Sequence, residues 1–199
     1  ISAQLLFGVR LGTFPHSLCW MVAAVVAADS GASEERRNGP AGKTSTASRN
    51  FFFQVRDGRA QVVLNALAGG LRDPFARFLP QNQDLMFFAA ARSQQLGGAD
   101  AIARRLAELH VPADSVDHMW QTPLFYAARE GNVSCAKFLV EQGCDVNHRD
   151  INGQTAIFYA ARHRQAEMAR FLQSAGASNE ERDSNGLRPT DYTVAGCRP

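Results

Sequence analysis

The sequence is poor in the features that announce chemistry. Its four cysteines, Cys19, Cys135, Cys144 and Cys197, stand too far apart for CxxC pairs, so neither a zinc site nor a thioredoxin-like redox pair is encoded. Reduced thiols are the default for such spacing, and they point to the inside of a cell, cytoplasm or nucleus. Excess charge of either sign is lacking: 21 Lys and Arg against 19 Asp and Glu leave +2, too little to indicate a nucleic-acid or membrane-surface partner. The apolar run Leu18 to Ala28 covers only about half of the roughly twenty residues a membrane-spanning helix needs. Its length suits the apolar part of a secretory or organellar signal, with small residues after it, or a short buried helix or upstream extension. Histidines 118, 148 and 163 lack the i,i+4 spacing of a metal site. No Ser, Cys or His forms a set of nucleophile, base and orienter, and no paired carboxylates stand out. Accordingly no catalytic residue, metal or cofactor is assigned.

What is present divides the chain. Residues 1–28 form an apolar amino-terminal segment. Residues 29–50 are rich in Ser, Thr, Gly and charge and have almost no large apolar side chain, so they read as a disordered linker unable to offset ordering entropy. Within it GPAGKT imitates a phosphate-binding loop, but Arg37 stands where the first glycine belongs and no apolar strand leads in. Residues 51–84 read as a helical cap. Gly58 to Ala68 forms one helix, stopped by Gly69-Gly70, and a second short helix runs from Asp73 to the residue before Pro80.

From residue 117 the chain repeats itself with a period of 33. Asp117, Asp150 and Asp183 fall in register, as do Gln121 with Gln154 and Thr122 with Thr155; Phe125-Tyr126-Ala127-Ala128-Arg129 returns as Phe158-Tyr159-Ala160-Ala161-Arg162. Thr122 and Thr155 are placed to cap a helix through their hydroxyls, and Pro123 suits its first position. The alanine pairs let neighbouring helices approach closely, and Gly131 supplies a left-handed junction to a second helix. Phe138 and Leu139, with Phe171 and Leu172, form the apolar face between units, where Cys135 and Cys144 align with Met168 and Ala177 as small core residues. Asn132-Val133-Ser134 matches a glycosylation acceptor but opens a helix, which favours a structural role.

The period, the Thr-Pro opening, the alanine pairs and the Gly-x-Asp-Val-Asn ending resemble the ankyrin repeat. The resemblance implies an all-α solenoid over residues 85–199, preceded by capping helices. It comprises a degenerate repeat 85–117, in which Phe88 to Arg92 imitate the opening and about four residues are inserted near Gln94 to Gly97. Repeats 118–150 and 151–183 follow, then a partial repeat 184–199. The family's usual His is Phe125 and Phe158 here, which removes its polar network. Arg164 replaces the junction glycine and Trp120 the turn glycine, so both places should depart from regular geometry.

The resemblance further implies a non-catalytic, monomeric protein-interaction module that binds a protein partner through turn tips and the exposed face of each first helix. On this chain those positions are His118, Met119, Gln121, Arg129 and Glu130, then Ile151, Asn152, Gln154, Arg162 and His163, with Ser184, Asn185 and Leu187 beyond. Trp120 joins them on position, either as an exposed anchor beside Met119 and Ile151 or as core folded over the next repeat. The near-balanced charge of residues 85–199 agrees with a protein partner. Two alternatives are a targeting arm of a larger enzyme and a secreted or organelle-delivered form.

Overall fold

A computed structural model describes residues 46–70 and 73–194. The apolar segment 18–28, most of the linker and the GPAGKT sequence lie outside the described residues. The described residues form nine α-helices: α1 Thr46–Asp57, α2 Ala60–Ala68, α3 Leu85–Ala90, α4 Ala99–Glu108, α5 Pro123–Glu130, α6 Val133–Glu141, α7 Ala156–Arg162, α8 Ala166–Ser174 and α9 Pro189–Val194. First helices stack in the row α1, α3, α5, α7, α9, and second helices in the row α2, α4, α6, α8. Each repeat leans on its neighbours, and the described residues form the all-α solenoid that the period implies.

One core runs through the stack. Phe87, Phe125 and Phe158 are each sealed beneath the first helices, while Ile102 and Leu106, Cys135 and Leu139, then Met168 and Leu172 line the second-helix row. Ala127, Ala128 and Ala160 are wholly buried, as expected where two helices meet closely. The ring pairs show the stacking: Phe87 lies edge-on to Tyr126 at 5.4 Å, Phe125 to Tyr159 at 5.4 Å, and Phe158 to Tyr192 at 5.9 Å.

These pairs shift the register of the degenerate repeat by one. Phe87, not Phe88, is the counterpart of Phe125, and Asp84 takes the place of Thr122, capping α3 by accepting from the Met86 amide at 2.9 Å. The inserted stretch forms a 3-10 turn, Gln94–Leu96, and ends in Gly97 and Gly98, both with positive φ.

Ahead of the repeats, α1 and α2 pack on α3 and α4 as a further helix pair. The first helix starts at Thr46, inside the segment read as linker, because Phe51, Phe52 and Val55 give it a buried face. The helix expected from Asp73 does not form. There Asp73 Oδ1 takes the Phe75 amide, and Phe78 and Gln83 exchange backbone hydrogen bonds in an isolated antiparallel bridge. The segment is therefore a hairpin, the counterpart of those before α5, α7 and α9.

The cap is tied on by Arg92, which is buried. Its guanidinium donates to the carbonyls of Val55 at 2.9 Å, Arg56 at 3.3 Å and Gly58 at 2.5 Å, and its Nε to Gly97 O at 2.5 Å. It thus closes the open carbonyl end of α1, where a cation is also favoured by the helix dipole. Burial lowers its pKa, opposed by Asp57.

The junction between paired helices is the same in both complete repeats: Asn132 N–H donates to Ala127 O and Gln165 N–H to Ala160 O, each at 2.9 Å. Arg164, with φ 59°, keeps the left-handed turn that Gly131 makes at 75°, so the expected irregularity is absent. The two positions differ in what lies above them. A Cβ on Gly131 would meet Gln165 Oε1 at 2.3 Å, because Gln165 reaches back to Arg129 O. The amide end of Gln165 can swing aside, so Gly131→Ala is expected to lower the unfolding free energy read from urea titration by about the ~1–2 kcal/mol of the left-handed penalty, with loss of the Gln165 bond to Arg129 O. An unfolding free energy within error of wild type would show that the turn carries no such penalty.

Candidate functional site

Three hairpins project from the first-helix side, each organised by one buried aspartate. Asp117 Oδ1 accepts from the amides of Met119 and Gln121 at 2.8 and 3.0 Å, Asp150 Oδ1 from Asn152 and Gln154 at 2.9 and 3.0 Å, and Asp183 Oδ1 from Asn185 and Leu187 at 2.9 and 3.0 Å. Backbone bonds close each turn between the same Asp and Gln121, Gln154 or Leu187. Neighbouring hairpins are linked from His118 N–H to Gln81 O, Ile151 N–H to Met119 O and Ser184 N–H to Asn152 O.

The second oxygen of each aspartate faces the repeat before it. Gln83 Nε2 donates to Asp117 Oδ2 at 3.3 Å and to Tyr126 OH at 2.6 Å, and Tyr126 OH donates to Asp117 Oδ2 at 2.8 Å. Gln121 meets Asp150 and Tyr159 in the same way, and Gln154 meets Asp183 and Tyr192. Burial and the carboxylate bond raise the pKa of Tyr126 and of Tyr159. Burial also acts on Asp183, to raise its pKa, but bonds from Tyr192, Gln154 and the Leu187 and Asn185 amides outweigh it and hold the carboxyl at about 2.

This network corrects two expectations. Gln121 and Gln154, nominated for partner contact, are buried between repeats and are spent on cohesion. Thr122 and Thr155 do not cap through their side chains: each Oγ1 is buried and meets no hydrogen-bond partner. The helices start on the threonine carbonyls, which accept from Phe125 and Phe158 N–H.

The other nominated residues remain at the surface. His118, Trp120, Ile151, Asn152, Arg162 and His163 are exposed, while Met119, Arg129 and Glu130 are half-buried. Trp120 is 63% exposed, so it is not folded back as core. Its φ of 60° matches Gly153 at 70° and Gly186 at 77°, and its hairpin keeps the common geometry rather than the different one expected. His148 Nε2 braces this turn at 2.8 Å from Trp120 O, a contact the histidine's spacing did not disclose. Ile151 is 53% and Leu187 41% exposed, and Phe75 lies on the first hairpin at 50%.

Arg129, Glu130, Arg162 and His163 are brought together at the carboxyl ends of α5 and α7. Arg129 lies over the Tyr126 ring at 4.9 Å and donates to Glu130 at 3.0 Å. Partial burial, then the charges of Arg129 and Arg162, lower the pKa of His163 against the pull of Glu130. By contrast Cys135 and Cys144 are buried thiols that desolvation pushes up to about 12. Asn132 is buried with its Nδ2 on Arg92 O at 2.9 Å, so the glycosylation motif serves the stack. Among the described residues, no group of three or more His, Cys, Asp or Glu could hold a metal ion, and no helix is long and apolar enough to cross a membrane.

A family model described as ankyrin repeats, in three copies, matches residues 85–183. A search of curated proteins found no match to the sequence.

Two outcomes follow for the polar junctions. Thr122→Val and Thr155→Val should hold the unfolding free energy read from urea titration or raise it by up to about 1 kcal/mol, because a buried, unpaired hydroxyl is replaced by an isosteric methyl; a loss would reveal a cap bond. Asp183 has a folded-state pKa below its unfolded one, so its contribution is complete above about pH 4 and drains away as pH falls toward about 2. Urea titrations across that window should show wild type losing stability more steeply than Asp183→Asn, and parallel curves would contradict the depressed pKa.

Proposed function

Residues 85–183 of this chain belong to the ankyrin-repeat family, and from that premise we propose that it acts as a non-catalytic module gripping one protein partner. Ankyrin repeats are generally protein-interaction modules. The proposed contact surface is the concave side of the solenoid: His118, Met119, Trp120, Ile151 and Asn152 on the hairpins, and Arg129, Glu130, Arg162 and His163 on the first helices. An apolar centre ringed by Arg and polar groups is the usual anatomy of a protein interface. Intracellular placement belongs to the same reading and is supported by the reduced, buried Cys135 and Cys144.

Trp120 carries the proposal. A bulky side chain at a left-handed turn costs about 1–2 kcal/mol relative to glycine, and the equivalent turns at Gly153 and Gly186 avoid that cost. Folding gains little in return, since the indole points mostly into solvent. Backbone strain retained at an exposed aromatic is better explained by recognition than by packing.

Trp120→Gly is the direct test. It should raise thermal stability, by about 1 kcal/mol, while proteins recovered by the wild-type chain in an affinity pull-down are lost from the variant. A full set of recovered proteins with Trp120→Gly would remove the tryptophan, and with it the proposed surface, from partner binding.

A further inference from the structure

Arg162 is exposed, yet its head group is held from several sides. The guanidinium carbon lies 5.3 Å from the Tyr159 ring centroid and 4.7 Å from that of Tyr192, and Nη2 donates to Gln154 Oε1 at 3.0 Å. Both rings are fixed in turn, because their hydroxyls donate to Asp150 and Asp183. Gln154 is pinned by its own bonds to Asp183 and Tyr192. Among the described residues no carboxylate forms an ion pair with Arg162, whereas Arg129, one repeat earlier, is paired with Glu130. An arginine normally gives up side-chain freedom when it grips a ligand; here that freedom is already lost on folding. What results is an oriented planar fork, suited to a carboxylate taken through two parallel hydrogen bonds.

The surroundings extend this chemistry. Arg129 and His163 stand beside Arg162, and their mutual influence is seen in the lowered pKa of His163. On the hairpins Trp120, Ile151 and Leu187 place one exposed apolar side chain on each of three consecutive turns. Arg162 is bonded to buried Gln154, at the base of its hairpin rather than at the tip. That position favours a peptide segment lying along the first helices over a flat anionic bilayer that rests on the hairpin tips.

Resting on the binding-module reading above, we propose that the partner segment is acidic and apolar: one carboxylate seats on Arg162, a second faces Arg129, and apolar side chains rest on Trp120 and Ile151. The fork makes Arg162 the polar anchor beside the apolar centre that the hairpins supply.

Selection of a random peptide library on the immobilised full chain tests this. Enriched sequences should carry Asp or Glu together with aromatic or aliphatic residues. An enriched peptide should bind about tenfold or more weakly to Arg162→Gln, in line with the loss of a charged hydrogen-bonded pair, and nearly as weakly to Arg162→Lys, which keeps the charge without the fork. Circular dichroism and urea midpoints identify a variant that has lost its fold, and Arg129→Gln then serves as the second probe, with a smaller loss expected. Enrichment of basic or uncharged peptides that Trp120→Gly abolishes would overturn the acidic partner while leaving the binding module standing. Binding insensitive to Arg162→Gln in a folded protein would overturn the anchor. Failure to enrich any peptide would overturn the inference, and co-sedimentation with phosphatidylserine vesicles in that case would assign the surface to a membrane instead.

Discussion

One carboxylate per junction holds this protein together. Asp117, Asp150 and Asp183 each give one oxygen to two amides of their own hairpin, and the other to a glutamine of the preceding repeat and a tyrosine of their own. Shape of the turn and spacing between repeats are thereby set by the same atom group. A buried carboxylate is costly to desolvate unless every lone pair is used, and these come close to full use. The apolar stack supplies most of the cohesion, but it is non-directional; the aspartates fix how each repeat is seated on the last.

The rest of the surface is built around that seating. Tyrosine hydroxyls committed to aspartate leave the ring faces as platforms, and Arg129 and Arg162 lie on them. The glutamines that recur with the period are consumed inside the stack, so the outward chemistry passes to the arginines after the alanine pairs and to whatever the hairpin tips carry. Trp120 occupies a tip whose backbone favours glycine, and the aspartate network is stiff enough to keep that turn in the common shape regardless.

The same stiffness accounts for the two replaced glycines. Arg164 and Trp120 adopt left-handed backbone because the hydrogen bonds around them over-determine the turn. Gly131 differs in that the amide end of Gln165 from the next repeat lies over it and would have to move for any side chain there.

Much of the fold was legible in the sequence, because a period of 33 with Thr-Pro, paired alanines and recurrent aspartates is local information repeated. The helices α5 to α8, their buried faces and the tip positions all follow from it. The sequence places the degenerate repeat one residue out of register, since Phe87 and Phe88 are equally apolar and only the ring across the junction, Tyr126, distinguishes them. The sequence reads a helix from Asp73 to the residue before Pro80, where the structure forms a hairpin, because the backbone pairing of Phe78 depends on Gln83, which is held by the following repeat. Gln121 and Gln154 looked like contact residues and Thr122 like a cap for a related reason: a single repeat shows which residues are polar but not what faces them. Sequence alone thus determined the period, the helices and which residues recur, for these rest on local preference and apolar spacing. Only the tertiary structure decided which of the recurring and tip residues are spent between repeats and which, like Arg162 and Trp120, stay at the surface, because that division is made by atoms about one repeat away along the chain.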